Sequence, residues 1–366
     1  MPSAFCALAA LLVTAGSQAA PSPAATSRDS TRGLHRWIDF QSGTIEIRYR
    51  HIESNTGETV ANQIQHKQAF KGALKLDAAG HYTLQSSLGT GSNFIGSWDA
   101  TGAGTGQPAW DFRVRRLFLQ AVPISGVELS AGSFDALRGQ STEITTLDND
   151  AYVEGYRVSV KRPSRLHVDE LAVTLAYLGD LNEPNVFTRL DRLSAHNYSQ
   201  ILVAKRWTLA AGGAAGINGN GRGRDEIAIS FDWTALEGVD TLRQAIRLAS
   251  HALTVVDGVR FEHYWRISGD KAYGFAIVVD KALTRRVTAA GGFSHTDRNF
   301  PPLNGDRYGR GKRLVAETRL ALRPDLSLGM FYTNGFANDF PVAGNRRLDV
   351  LLSYNILKAL QQAHRW

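Results

Sequence analysis

Residues 227–233 read Ile-Ala-Ile-Ser-Phe-Asp-Trp, with large apolar side chains at every odd position and small or polar ones between. Successive side chains of a strand point to opposite faces. Ile227, Ile229 and Phe231 therefore share one face, and Ala228, Ser230 and Asp232 the other. The same period runs outward through the chain. Ile45, Ile47 and Tyr49 alternate with Glu46, Arg48 and Arg50. Trp110, Phe112 and Val114 alternate with Asp111, Arg113 and Arg115. Leu314, Ala316, Thr318 and Leu320 oppose Val315, Glu317, Arg319 and Ala321, and Leu348, Val350, Leu352 and Tyr354 oppose Asp349, Leu351, Ser353 and Asn355. Period two sustained over so many segments of about ten residues is the signature of strands.

The connections agree. Asn55-Thr56-Gly57, Ala79-Gly80, Ser125-Gly126, Ser268-Gly269-Asp270 and Arg323-Pro324-Asp325 are compact turns. Residues 89–108, 135–149, 218–224, 296–310 and 334–345 are longer polar connections. One segment dissents: Leu242, Ile246, Ala249 and Leu253 are spaced by four, three and four. That spacing predicts a short helix near residues 239–253, and the competing reading is one more strand with Leu242, Ile246 and Leu248 on one face. No fixed-length repeat points to a propeller or solenoid.

The chain has 366 residues and 41 Lys+Arg against 34 Asp+Glu, a net charge of +7. Hydrophobic residues make up 43%, which excludes general disorder. Outside the N-terminus no run approaches the ~18 apolar residues of a spanning helix. Residues 1–20 carry an apolar core followed by small residues near Gln18-Ala19-Ala20, the form of a secretory signal peptide. Residues 21–33 read as a polar linker. Cys6 is the one cysteine; cleavage would remove it, and with it disulfide or thiol chemistry.

Both a soluble sandwich and a membrane barrel alternate in this way. Strands of ~10 residues are long enough to cross a bilayer at a tilt, and Tyr and Trp near strand ends match interfacial girdles. In lipid every backbone group must find a partner, so the all-strand solution is a closed barrel. The expectation is an all-β fold: a transmembrane antiparallel barrel of about 16 strands (14–18) over residues 34–357, with a short tail at 358–366.

With these strands and the final segment Arg347-Leu348-Asp349-Val350-Leu351-Leu352-Ser353-Tyr354-Asn355-Ile356, the chain resembles a Gram-negative outer-membrane porin, at the level of the class. The resemblance implies a pore for passive diffusion in the outer membrane, with lipids, small solutes, the barrel assembly machinery and copies of itself as partners. Porins usually end on an aromatic residue that the assembly machinery reads. Here Trp366 is aromatic, but residues 357–365 break the alternation and look helical.

Of the basic residues only nine are Lys, so 32 are Arg. The polar strand faces carry Arg48, Arg50, Asp111, Arg113, Arg115, Arg157, Glu317 and Arg319, the candidate pore lining. A positive lumen favours anions, and Arg holds carboxylate or phosphate oxygens through its planar fork. The competing reading pairs these arginines with Glu46, Asp111 or Glu317 and leaves only a stiffened wall. The basic residues form no stripe, so nucleic acid is not indicated. Asp148-Asn149-Asp150 with Glu154 has calcium-like spacing but lacks the remaining EF-hand positions. The glycine-rich residues 102–106 and 218–224 lack a phosphate-loop Lys-Ser/Thr and read as loops. No His-Glu-x-x-His and no Gly-x-Ser-x-Gly occurs, so no metal, cofactor or catalytic residue is expected. The alternatives are a barrel hydrolase using Glu262-His263 or His295 with Asp297, and a structural or adhesion barrel plugged by the 239–253 helix.

Overall fold

The computed structural model describes residues 37–93, 96–140, 152–162, 167–179, 183–208, 225–250, 253, 255–299, 309–336, 340, 342 and 344–363. The signal-peptide and linker stretches, residues 148–150 and 218–224, and Trp366 lie outside them.

Seventeen strands form one antiparallel sheet. In chain order they are β1 (Ile38–Glu53), β2 (Thr59–Lys75), β3 (Tyr82–Thr90), β4 (Asp99–Gly104), β5 (Phe112–Ile124), β6 (Val127–Asp135), β7 (Tyr152–Lys161), β8 (Glu170–Tyr177) and β9 (Tyr198–Thr208). There follow β10 (Glu226–Leu236), β11 (Val239–Ala249), β12 (Gly258–Arg266), β13 (Ala272–Ala282), β14 (Val287–Thr296), β15 (Gly311–Ala321), β16 (Leu326–Gly335) and β17 (Arg346–Asn355). Two helices, α1 (Val186–Leu190) and α2 (Ile356–Ala363), complete the described elements. Apart from β4, which β3 and β5 bypass by pairing with each other, each strand pairs with its neighbours in sequence, and β1 also pairs with β17 from Thr44↔Asn355 to Glu53↔Arg346, which closes the ring. β4 pairs with β2 alone, continuing the wall where β3 stops, so 16 strands make the barrel.

Closure leaves the 16-strand ring without a free edge. The faces separate as the alternation requires. Ile45, Ile47, Ile201, Phe231, Ile246, Ile277, Leu314 and Leu352 are exposed on the outside. Trp37, Phe40, Tyr82 and Trp207 ring the end where β1 begins and β17 stops, here the terminal end; Tyr49, Phe112, Trp265, Tyr273 and Tyr332 ring the other, the loop end. Small, polar and charged residues fill the inside: Ala228, Ser230, Asp232, Thr241 and Arg243 are buried there.

Turn length sorts the ends incompletely. Ala79-Gly80, Ser125-Gly126 and Arg323-Pro324-Asp325 turn at the terminal end, where Asp77 accepts a bond from Tyr82 N at 2.8 Å. That bond holds its carboxyl below the usual range. Asn55-Thr56-Gly57 and Ser268-Gly269-Asp270 turn instead at the loop end, among the longer connections.

The segment near 239–253 is not a helix. It is β11, registered with β10 from Leu236↔Val239 to Glu226↔Ala249. The preceding turn, Glu237-Gly238, has φ of +49° and +82°, the two positive values of a type I′ hairpin, whose twist matches the strands it joins. Leu242 and Ile246 satisfy both periods, so their spacing alone could not separate strand from helix. Residues 102–106 are likewise not simply a loop. Gly104 lies in β4 at φ +92°, and a Cβ there would stand 1.9 Å from the Asn62 carbonyl oxygen.

Candidate functional site in the barrel interior

Two connections at the loop end fold against the inner wall. After β3, residues 91–93 and 96–98 lie between two arginines. Trp98 stacks under the Arg48 guanidinium, 3.9 Å from ring centre to Cζ. Arg115 donates to the carbonyls of Thr90 (3.1 Å) and Asn93 (3.2 Å). After β6, residues 136–140 lie along the inner wall and reach β9 and β10. Gln200 Nε2 of β9 donates to the Leu137 carbonyl at 2.9 Å, and Gln140 N donates to Ser230 Oγ of β10 at 2.7 Å.

Asp349 gathers arginines from two strands. Arg50 donates Nε to Oδ1 at 3.0 Å and Nη2 to Oδ2 at 3.1 Å. Arg347 donates Nε and Nη2 to Oδ2 at 3.0 and 2.6 Å. Arg48 Nη1 lies 3.7 Å from Oδ2, while its Nε donates to Gln65 Oε1 at 3.1 Å. Three guanidinium groups thus surround one carboxylate. Further round the ring, Arg243 pairs with Asp232 at 2.5 Å, and Arg116 pairs with Asp135.

Several other inward arginines are held by neutral oxygens. Arg157 donates to Thr174 Oγ1 at 2.9 Å and to the Asp135 carbonyl at 2.7 Å, with Cζ 4.3 Å from the Phe134 ring centre. Arg313 donates to the carbonyls of Arg310 (2.8 Å) and Gly344. A neutral acceptor satisfies the donor without cancelling the positive charge, although Asp135, Glu128 and Glu170 act on Arg157 from a distance.

The eight candidate residues all lie on inward positions, but not in one cluster. Arg48 and Arg115 clasp the same in-folded segment. Arg50 joins the Asp349 group. Arg113 pairs with Asp111 at 3.0 Å, both half-exposed. Arg157 stands further round, while Glu317 and Arg319 lie toward the terminal end of β15, Arg319 open to water. Glu46 pairs with Lys67 at 3.7 Å.

Sequence reasoning missed Arg116, Arg243, Arg313 and Arg347. Arg116 was hidden by a bulge: β3 registers Leu88 with Val114 but Ser87 with Arg116, so Arg115 and Arg116 both turn inward. The available signal was the phase change after it, with Leu119 exposed outside in place of an even-numbered residue.

Of the two enzyme constellations, Glu262 and His263 lie on opposite faces of one strand, while His295 and Asp297 meet. Glu262 is fully buried on the inner face of β12, and His263, the next residue, faces out. His295 lies on the outer face of β14, 3.3 Å from Asp297, among Tyr273 and Phe275. Glu154 is engaged by Arg189 of α1 through both oxygens at 3.0 Å, both side chains buried, and by Ser133. Among the described residues no three His, Cys, Asp or Glu side chains gather to hold a metal.

No protein-family model matches the chain, and no curated protein sequence does. Solved structures do. A Salmonella typhi OmpF in complex with daunomycin matches 87% of this chain and 97% of its own at 12% identity, with a TM-score of 0.53. A variant of the Rhodopseudomonas blastica porin matches 87% and 99% at 12% identity, with a TM-score of 0.51. The likeness is one of fold: the chain resembles the porin barrels as a class.

Proposed function

We propose that this chain is an outer-membrane channel of the porin type that passes small solutes and favours anions. A ring of 16 strands encloses enough room for an aqueous lumen. An apolar outer belt between two aromatic girdles suits a bilayer. The observation that carries the anion preference is the inward arginine excess. Three arginines share Asp349, and Arg157 and Arg313 donate to neutral oxygens. Charges on a low-dielectric wall focus their field on the lumen and enrich counter-ions there. Outer-membrane lipids, the barrel assembly machinery and copies of the chain are the partners this reading implies. The test is reconstitution. Protein refolded into planar bilayers should give stepwise conductance in KCl, and a lipid-inserted barrel that gives none would reject the channel.

A further inference from the structure

One row of registered residues on the inner wall combines opposite chemistries. Arg247 of β11 is the Cα partner of Arg260 on β12. Arg260 partners Val278 on β13, Val278 partners Gly292 on β14, and Gly292 partners Val315 on β15. All five point into the lumen by the alternation of their strands.

The arginine pair is unusual. Like charges directly opposite each other across strands are destabilising. Among the described residues neither arginine has a hydrogen-bonding or ionic partner, and the Nε of each is shielded from solvent and unpaired. The acids at neighbouring inward positions do not reach them. Glu226 pairs with Arg206 at 3.5 Å, and neither Glu262 nor Asp280 forms an ion pair with either arginine. Two adjacent forks without an acid are a site for an external carboxylate or similar oxyanion.

The next three positions are apolar and make a groove. Val278 and Phe331 pack with Ala276 and Val315. Gly292 is the floor between Val278 and Val315, and no larger residue fits: a Cβ there would stand 2.2 Å from the Ile277 carbonyl oxygen. Strands are spaced by ~4.8 Å, so the groove from Val278 to Val315 is about 10 Å across.

We infer that this row is a binding subsite for amphipathic organic acids, with the carboxylate between Arg247 and Arg260 and an apolar body of about that length over Gly292. The inference rests on the channel reading and names a solute class for it. A purely electrostatic pore needs no apolar groove beside its charges.

The test measures block of the KCl current by 3-phenylpropanoate, with acetate as a charge-only control and 3-phenylpropan-1-ol as a neutral one. Only 3-phenylpropanoate should block the wild-type channel at a shared concentration. The R247Q/R260Q variant should raise its half-blocking concentration about tenfold or more, and Val278→Ser should raise it several-fold. Heat-modifiable migration reports that each variant has folded. Equal block by acetate or by the alcohol, or block unchanged in folded variants, overturns the subsite and leaves the channel standing. Absence of wild-type conductance overturns the channel. Titration calorimetry on the detergent-held barrel then decides the subsite alone: 3-phenylpropanoate binding that R247Q/R260Q abolishes supports it, and no binding removes it.

Discussion

Arg50 and Asp349 meet in a two-pronged ion pair across the seam where the first strand of the barrel joins the last. The residues are 299 positions apart in sequence, and their Cα atoms are direct partners in the β1–β17 register. The same carboxylate also holds Arg347. One acid therefore both staples the closure and partly neutralises a group of three arginines on the inner wall.

Replacing Asp349 with Asn should act on both properties. Removing one partner of a buried ion pair leaves uncompensated charge, at a cost of ~3 kcal/mol or more. Urea unfolding from detergent should shift to lower concentration, and the channels that do insert should be more anion-selective than wild type. Unchanged stability would mean that the pair is too well hydrated to matter.

The outer belt makes a claim about lipid. Ile229 lies on the outer face near the middle of β10, and a cation at that depth costs ~2–4 kcal/mol. Ile229→Arg should lower the yield of heat-modifiable barrel. Assembly at wild-type yield would contradict a lipid-facing β10.

Ser230, one residue on, tests the lumen. Its hydroxyl accepts from Gln140 N at 2.7 Å and anchors residues 136–140 to the inner wall. Ser230→Ala should assemble normally and release this segment, so that single-channel conductance rises or becomes noisier. Conductance with wild-type size and noise would show that the anchor does not narrow the path.

The Glu237-Gly238 turn fixes β11. A β-branched residue at φ +82° is strained, so Gly238→Val should cost ~1–2 kcal/mol and slow refolding into detergent. Gly238→Asn, which tolerates the left-handed region, should stay near wild type.

The barrel was legible because lipid-facing and water-facing positions must alternate on every strand, and Ile227 to Trp233 or Leu348 to Tyr354 display that rule in full. β11 was misread because Leu242 and Ile246, four apart, satisfy both periods; the Glu-Gly hairpin ahead of them was the better guide. The inward arginines could be assigned a face but not a partner. Arg48 meets Gln65 through the β1–β2 register but Trp98 through a connection that folds inward, and no local pattern encodes where such a segment comes to rest. Arg247 and Arg260 show the same limit. Each lies on a polar face in sequence, but only the β11–β12 register brings the two opposite each other.

The most direct test of an anion-favouring lumen is the zero-current potential of the reconstituted channel across a tenfold KCl gradient. Screening lengths fall from ~10 Å at 0.1 M to ~3 Å at 1 M salt, so wall charge acts most strongly at the dilute end. The arginine excess predicts a potential of the sign set by chloride, largest with dilute solutions and shrinking toward zero as both are concentrated. A potential of the potassium sign at low salt would contradict the account.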